Sequence, residues 1–354
     1  MKTKITRRRF TGAVIAGGAT LSFTSATPAR AAQNVESKNE NSGSAVDRLE
    51  LFSPETRELH IDYGDHAREL LQGAVDLHVH SSPDCFKRIF THDEAAESAR
   101  SHGLSAIVYK CHAQGVADRL PFVRKLVSGI DLLGSITLNS FVGGLNPSAV
   151  EAAIEYGAKT VWLPSIDAKA HVDHFETGTY GEFLPLAWER RVFTEPIYIL
   201  NEDGRLKESM YSIMELVSAA NVILNVSHVS YEEIMEILKV AKEMRFNKVV
   251  VDHPFHPFRS FSVETQLELV SQGAIIAPTS TDLYWAEAPM PRDEFVRQIR
   301  AVGPENQILT SDGGAPGYPP CECFLGSIQL LINSGFADSE IRHMIYDKPR
   351  ELIS

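Results

Sequence analysis

The chain has 354 residues, of which 44% are hydrophobic, 23% charged and 8% aromatic. That balance excludes a disordered chain, a collagen-like repeat and a small disulfide scaffold. The formal charge of -12 makes nucleic acid and anionic membrane surfaces poor partners. The length allows two domains or one α/β barrel, which uses roughly 200–300 residues as a unit.

Residues 1–31 read as an export signal. Lys2, Lys4, Arg7, Arg8 and Arg9 form a positive start, Gly12 to Phe23 is apolar, and Ala29-Arg30-Ala31 is an A-x-A cleavage site. Thr6-Arg7-Arg8-Arg9-Phe10 fits the twin-arginine pattern, which predicts export of a folded, metal-loaded protein to the periplasm or the exterior. The apolar stretch is too short and too glycine-rich for a stable membrane span, so no membrane association is expected after cleavage. Without these residues the chain keeps 28 basic and 46 acidic side chains, a charge of about -18. Residues 32–46 are polar and read as a flexible linker, leaving 47–354 as a single domain. Leu49, Leu59 and Leu70-Leu71 recur at helical spacing and predict one or two short helices as an N-terminal extension.

Eight short apolar runs follow: 74–80, 105–112, 132–138, 160–164, 222–228, 248–253, 274–278 and 307–312. Helical punctuation separates most of them. Thr91-x-x-Glu94 is a capping box opening a helix to His102 and Gly103, and Asn146-Pro147 opens one closed by Gly157. Ser230 opens 232–244, Ser262 opens a segment ending at Gln272-Gly273, and Pro291 precedes 293–302. Strands alternating with helices predict parallel βαβ units, and eight of them close a (β/α)8 barrel of the TIM type. An open doubly wound sheet would want a glycine-rich loop after the first strand, where His78-Val79-His80 stands instead. More than fifty residues separate the fourth and fifth runs, a long insert.

Polar residues gather at the strand ends. Residues i and i+2 share a strand face, so Asp76, His78 and His80 point one way and Leu77 and Val79 the other. Leu77 and Val79 are expected against the helices, with both imidazoles in the barrel lumen as a chelating pair. The second run ends Lys110-Cys111-His112, the fifth ends Ser227-His228, the sixth ends Asp252-His253 followed by His256, and the eighth ends Asp312-Gly313-Gly314. Five of eight ends therefore carry His or Asp on the face where barrel active sites are built, which predicts a metal centre. Lys110 and His112 share a lumen-facing side. Asp76 is either a carboxylate fixing a histidine tautomer or an ordinary strand-start residue.

The order H-x-H, His, His, Asp at strands one, five, six and eight resembles the metal-dependent amidohydrolase superfamily, with the matching residues His78, His80, His228, His253 and Asp312. The resemblance runs over about 73–353, including the tail Met344 to Leu352, and Ser227-His228-Val229-Ser230, Asp252-His253-Pro254 and Thr310-Ser311-Asp312-Gly313 look closest to a poorly characterised branch. It implies a distorted barrel with one or two zinc-like ions, manganese or iron being alternatives. Many binuclear members place a carboxylated lysine or a glutamate at the end of strand four, but here the strand ends Val161-Trp162-Leu163-Pro164-Ser165. Lys110 is the local substitute, as a carbamate bridge, as a free ammonium for a substrate carboxylate, or paired with Asp76. Without a bridge the ligands are His78, His80, His228 and Asp312, and His253 is catalytic; His112 completes the candidate metal residues.

The implied activity is hydrolysis of a small amide, cyclic amide, ester or lactone by a metal-activated water, with Asp312 moving the proton and His253 and Lys110 assisting. Non-oxidative decarboxylation or hydration uses a similar ligand set. Phosphoesterases of the polymerase-and-histidinol-phosphatase type also begin D-L-H-x-H-S, but normally end in D-x-H, unlike Asp312-Gly313-Gly314. The insert, with His171, Asp173, His174, Tyr180, Trp188, Arg190 and a hairpin signal at 197–206, is expected to cover the site or form a homo-oligomer contact. Arg88, Phe255, Phe258, Arg259, Tyr284, Trp285 and Tyr318 suggest a small organic substrate with an anionic group. Cys85, Cys321 and Cys323 lie near the active face, where Cys85 could pair with either of the others, and Cys111 is expected in the core.

Overall fold

The computed structural model describes residues 61–354, apart from 176–179, 181–183, 185, 189, 191, 193, 257 and 285–289. The expected signal at 1–31, the linker at 32–46, the helical turns around Leu49 and Leu59, and Trp285 lie outside the described residues.

Strand and helix alternate along the rest. In chain order they are α1 (Asp65–Leu71), β1 (Val75–His80), α2 (His92–Ser101), β2 (Ala106–Lys110), α3 (Leu120–Leu126) and β3 (Asp131–Thr137). Then come α4 (Pro147–Glu155), β4 (Ala158–Trp162), α5 (Lys169–Phe175), α6 (Glu208–Ala220), β5 (Ile223–Asn225), α7 (Tyr231–Met244) and β6 (Val249–Asp252). The chain ends with α8 (Val263–Ser271), β7 (Ile275–Ala277), α9 (Arg292–Val302), α10 (Pro320–Asn333), α11 (Asp338–Arg342) and α12 (Lys348–Ile353). Both capping boxes form. Thr91 N donates to Glu94 Oε2 at 2.8 Å, and Ser230 N donates to Glu233 Oε2 at 2.7 Å. The other oxygen of buried Glu233 accepts from Ile199 N at 2.8 Å, so one cap also pins the insert.

The described strands pair in parallel in the order β1 to β7. The eighth apolar run is not a regular strand, which corrects the expected eight. It touches each neighbour one residue at a time, through Ile276 with Gln307, Thr279 with Thr310 and Val79 with Gly313. Ile308 N donates to Ile276 O and Asp312 N to His78 O, both at 2.9 Å, so residues 307–313 join β7 to β1 and close a distorted barrel.

Two apolar clusters lie between sheet and helices, and a third fills the barrel axis with Val75, Leu77, Ala106, Val108, Ile223, Val250, Ala277 and Ile308. The expected side of Leu77 is therefore wrong. The cause is a bulge in β1: Asp76 pairs with Ile107 but Val79 pairs with Tyr109, three steps against two. The extra residue lets Leu77 stay in the axial core while His78 and His80 both enter the lumen and Val79 joins the outer core. Asp76 holds this arrangement: its Oδ1 accepts from His78 N at 3.1 Å and Ser311 N at 3.0 Å, tying the bulge to the closing segment. It touches backbone, so the strand-frame role wins over tautomer control.

At the opposite end, Lys248 Nζ donates to Leu352 O at 2.9 Å and Ser354 O at 3.1 Å, fastening the C-terminal tail beneath the axial core. Asp76→Ala leaves two buried N–H groups without acceptors. It is expected to lower unfolding free energy by about 1–3 kcal/mol in a denaturant titration; an unchanged midpoint would mean the bulge closes without it.

Candidate metal centre

Three donor atoms converge at the C-terminal end of the barrel. His78 Nε2 lies 3.2 Å from His80 Nε2 and 2.9 Å from Asp312 Oδ1, and His80 Nε2 lies 3.2 Å from the same oxygen. A tetrahedral ion at roughly 2.0–2.1 Å from each donor spaces its ligands about 3.3 Å apart. The triangle fits one face of such a set. Near it, both carboxylate oxygens of Asp252, His78 Nδ1, His253 Nδ1 and His112 Nε2 are buried without a geometrically formed hydrogen bond, so the cluster has polar capacity left for a ligand.

The backbone is strained where it delivers these groups. His253 and Asp312 adopt left-handed φ of 53° and 52°, unusual for residues other than glycine. At His253 the turn lets two consecutive side chains, Asp252 and His253, both reach the donor cluster with His78. Alternation along β6 would send one of them out to the helices. After Asp312, only glycine fits at 314, where φ is 117° and a Cβ would lie 1.9 Å from His80 O.

A second layer holds the donors. His78 Nδ1 lies 2.8 Å from Asp252 Oδ2, the carboxylate–imidazole arrangement that orients a metal-binding histidine. On the other side Asp84 forms a buried pair with Arg88, with Arg88 Nη2 2.7 Å from Asp84 Oδ2. His112 Nδ1 lies 3.1 Å from the same oxygen, and the His112 ring stacks on His80 with centroids 4.8 Å apart. Burial, then Arg88, pushes His80 down to about 3. Burial alone would raise Asp312, but His78 and His80 beside it hold the carboxylate well below its usual range. Burial works against protonation of His78 too, yet Asp312 and Asp252 outweigh it and raise that imidazole.

The anticipated residues divide accordingly. The structure brings His78, His80 and Asp312 together and sets His253 beside them, its Nδ1 4.0 Å from Asp312 Oδ2. His112 is near but turned to Asp84 and Arg88. Lys110 reaches neither Asp76 nor the donor triangle: its Nζ donates to Ser227 Oγ at 3.3 Å and sits 4.3 Å from the centre of the Trp162 ring. Burial pushes it down to about 8. His228 follows β5, which ends at Asn225, and joins none of the donor groups, although its ring packs edge-on against His253 with centroids 5.2 Å apart. There His228 Nδ1 meets His171 Nδ1 at 2.9 Å, with Tyr180 Oη 3.5 Å from Nε2.

Asp84, Asp252 and Trp162 are absent from the sequence-derived site. Asp252, directly before His253, had a signal in its neighbour; Trp162, packed 4.6 Å from His78, had none beyond a strand end. The insert covers this face: Leu186 pairs with Phe86, and Tyr180 is buried against Phe86, His112 and His171. Its hairpin forms, with Leu200 bridging Leu206.

Arg88 pairs with Asp84 while lining a small chamber, and Arg259 does not face an anion site, giving its guanidinium to the carbonyls of Asp252, Val226 and Val229. No disulfide links Cys85 to Cys321 or Cys323; these and Cys111 are buried free thiols, with Cys321 facing Ser98 across from α2 and Cys111 facing Asp84. The chamber bounded by His80, His112, His253, Thr281 and Asp312 holds about 20 Å³, room for about one water. His256 lines both this chamber and a cleft of about 610 Å³ lined also by Phe255, Phe261, Asp282, Met290 and Glu294.

A parallel β/α barrel with a buried His/Asp centre on its C-terminal face is thus the class defined by fold and site. The chain belongs to DUF6282, a family of unknown function, whose model matches residues 73–277, from before β1 to the end of β7. No curated protein matches it. Among solved structures it is similar to an amidohydrolase from Pseudomonas aeruginosa (14% identity, 81% of this chain and 98% of that one, TM-score 0.50). It is also similar to a β-aspartyl dipeptidase from Fervidobacterium islandicum AW-1 (15% identity, 80% of this chain and 72% of that one, TM-score 0.53). At these identities the likeness is one of fold.

Burial holds His80 at about 3 and His92, His112 and His253 at about 4, against 6.5 for an ordinary imidazole. These folded-state values are depressed, so the unfolded chain binds more protons between about 4 and 6.5, and stability present above 6.5 is lost as pH falls. Asp76 and Asp282, raised to about 6 and about 7, act oppositely and offset two of the four. The urea midpoint of metal-stripped protein is expected to fall steadily from pH 6.5 to 4; a level or rising midpoint would contradict neutral buried imidazoles.

Proposed function

We propose that the protein is a metal-dependent hydrolase of a small amide, cyclic amide, ester or lactone, acting outside the cytoplasm. The observation that carries this reading is the triangle of His78 Nε2, His80 Nε2 and Asp312 Oδ1, with all three contacts between 2.9 and 3.2 Å. A divalent ion, zinc in the first place and manganese or iron otherwise, would be held by His78, His80 and Asp312 and would supply a water acidic enough to ionise near pH 7 and a Lewis acid for a carbonyl oxygen. The amidohydrolase and the dipeptidase that share the fold support the choice of hydrolysis, and the twin-arginine pattern at Thr6 to Phe10 supports export.

The chain's own residues supply the rest. Thr281 Oγ1 donates to Asp312 Oδ2 at 3.0 Å, which fixes the carboxylate and leaves it to take a proton from water and give it to the leaving group. His253, unpartnered at Nδ1, is placed to hydrogen-bond the substrate beside Asp312. The small chamber admits only the reacting group, so the body of the substrate lies in the adjoining cleft beyond His256.

A panel of dipeptides, cyclic amides and lactones tests the reading. Turnover is expected to vanish on chelator treatment and return with zinc or manganese, to fall by roughly 10²–10⁴-fold in Asp312→Asn, and to yield a carboxylate with an amine or alcohol. Carbon dioxide as product would replace hydrolysis by decarboxylation, and turnover indifferent to chelation would overturn metal dependence.

A further inference from the structure

We propose that the centre takes one divalent ion, and that Arg88 is a built-in cation that closes the neighbouring donors to a second. The inference rests on the metal reading above and adds the count.

Among the described residues, three groups of donors lie close enough to hold an ion: His78, His80 and Asp312; His78, Asp252 and His253; His80, Asp84 and His112. They are not independent, because the first shares His78 with the second and His80 with the third. A neutral imidazole gives one nitrogen to a metal and uses the other to be oriented. His78 turns Nε2 to the first group and Nδ1 to Asp252 at 2.8 Å. The second group is therefore the support of the first.

The third group already surrounds a cation. Arg88 Nη2 lies 2.7 Å from Asp84 Oδ2, 2.9 Å from His80 Nδ1 and 3.1 Å from His112 Nδ1. Arg88 Nε also donates to Asp84 Oδ2 at 3.0 Å, and the side chain is 2% exposed. A guanidinium is a positively charged group that only donates hydrogen bonds and offers no lone pair to a metal. A divalent ion entering this group would meet a fixed positive charge at contact distance in a water-poor site, where the repulsion is strong. On the other flank of His78, Trp162 and Lys110 fill the lumen, with Lys110 Nζ 4.3 Å from the centre of the indole ring. Among the described residues no carboxylate oxygen lies within 4 Å of that nitrogen, so Lys110 is placed with the indole and not as a bridge between ions.

The test is the zinc content of the full chain, loaded with excess zinc, passed over a weak chelating resin and measured by plasma mass spectrometry. One equivalent per chain is expected. Two equivalents would overturn the single-ion inference and leave the metal reading standing; none would overturn both. Arg88→Met strips the third group of its cation and is expected to retain a second equivalent, bound at least tenfold more weakly than the first, while Arg88→Lys stays at one. A folded Arg88→Met protein that still binds only one would remove Arg88 from the explanation. Should that variant not fold, the wild-type count and Arg88→Lys decide the matter.

Discussion

A carboxylate buried against two imidazoles in the floor of a barrel is the constraint on which the rest of the structure depends. His78 and His80 are buried and the Asp312 side chain beside them is 11% exposed, and a carboxylate so far removed from water needs compensating positive charge. The surrounding frame makes sense as the means of holding that unfavourable cluster. The bulge in β1 brings both imidazoles to one side, the strained turns at His253 and Asp312 deliver their side chains, and Asp76 ties the two chain segments together. Backbone strain of this kind persists only where surrounding packing over-determines it.

Around the cluster, charge is arranged in alternating layers. The carboxylates Asp252 and Asp84 stand behind His78 and His80, and Arg88 stands between Asp84 and its two imidazoles. This layering confines the place for an added cation to the triangle itself, which adjoins the small chamber and, past His256, the larger cleft. The insert contributes to enclosure through Tyr180 and Leu186 and supplies His171 as the partner of His228. Arg259, expected to face an anion, is instead part of the scaffold.

The barrel and the face that bears the site were legible in the sequence, because hydrophobic runs, caps and the polar ends of strands are local signals. His78, His80 and Asp312 could be read from their positions at strand ends. Side-chain direction was less legible, since a one-residue bulge reverses the alternation on which it is inferred, and Leu77 went to the opposite side for that reason. His228, three residues past the end of β5, pairs with His171 of the insert while its ring lies 5.2 Å from that of His253, and the partner from the insert had no signal in its own segment. Trp162 and Asp84 carry roles that depend on which distant residues fold against them, His78 for the one and Arg88 with His112 for the other. Nothing in their own segments encodes that. Whether Cys85 pairs with Cys321 or Cys323 was open in the sequence, for strand adjacency does not fix where a thiol points; all are free thiols.

The most direct test of a metal centre in this triangle is anomalous diffraction at the zinc edge from crystals of zinc-loaded protein. The expected result is a peak within coordinating distance, roughly 2.0–2.2 Å, of His78 Nε2, His80 Nε2 and Asp312 Oδ1. A peak seated elsewhere, or none in fully loaded crystals, would contradict it and leave the cluster as a buried hydrogen-bond network.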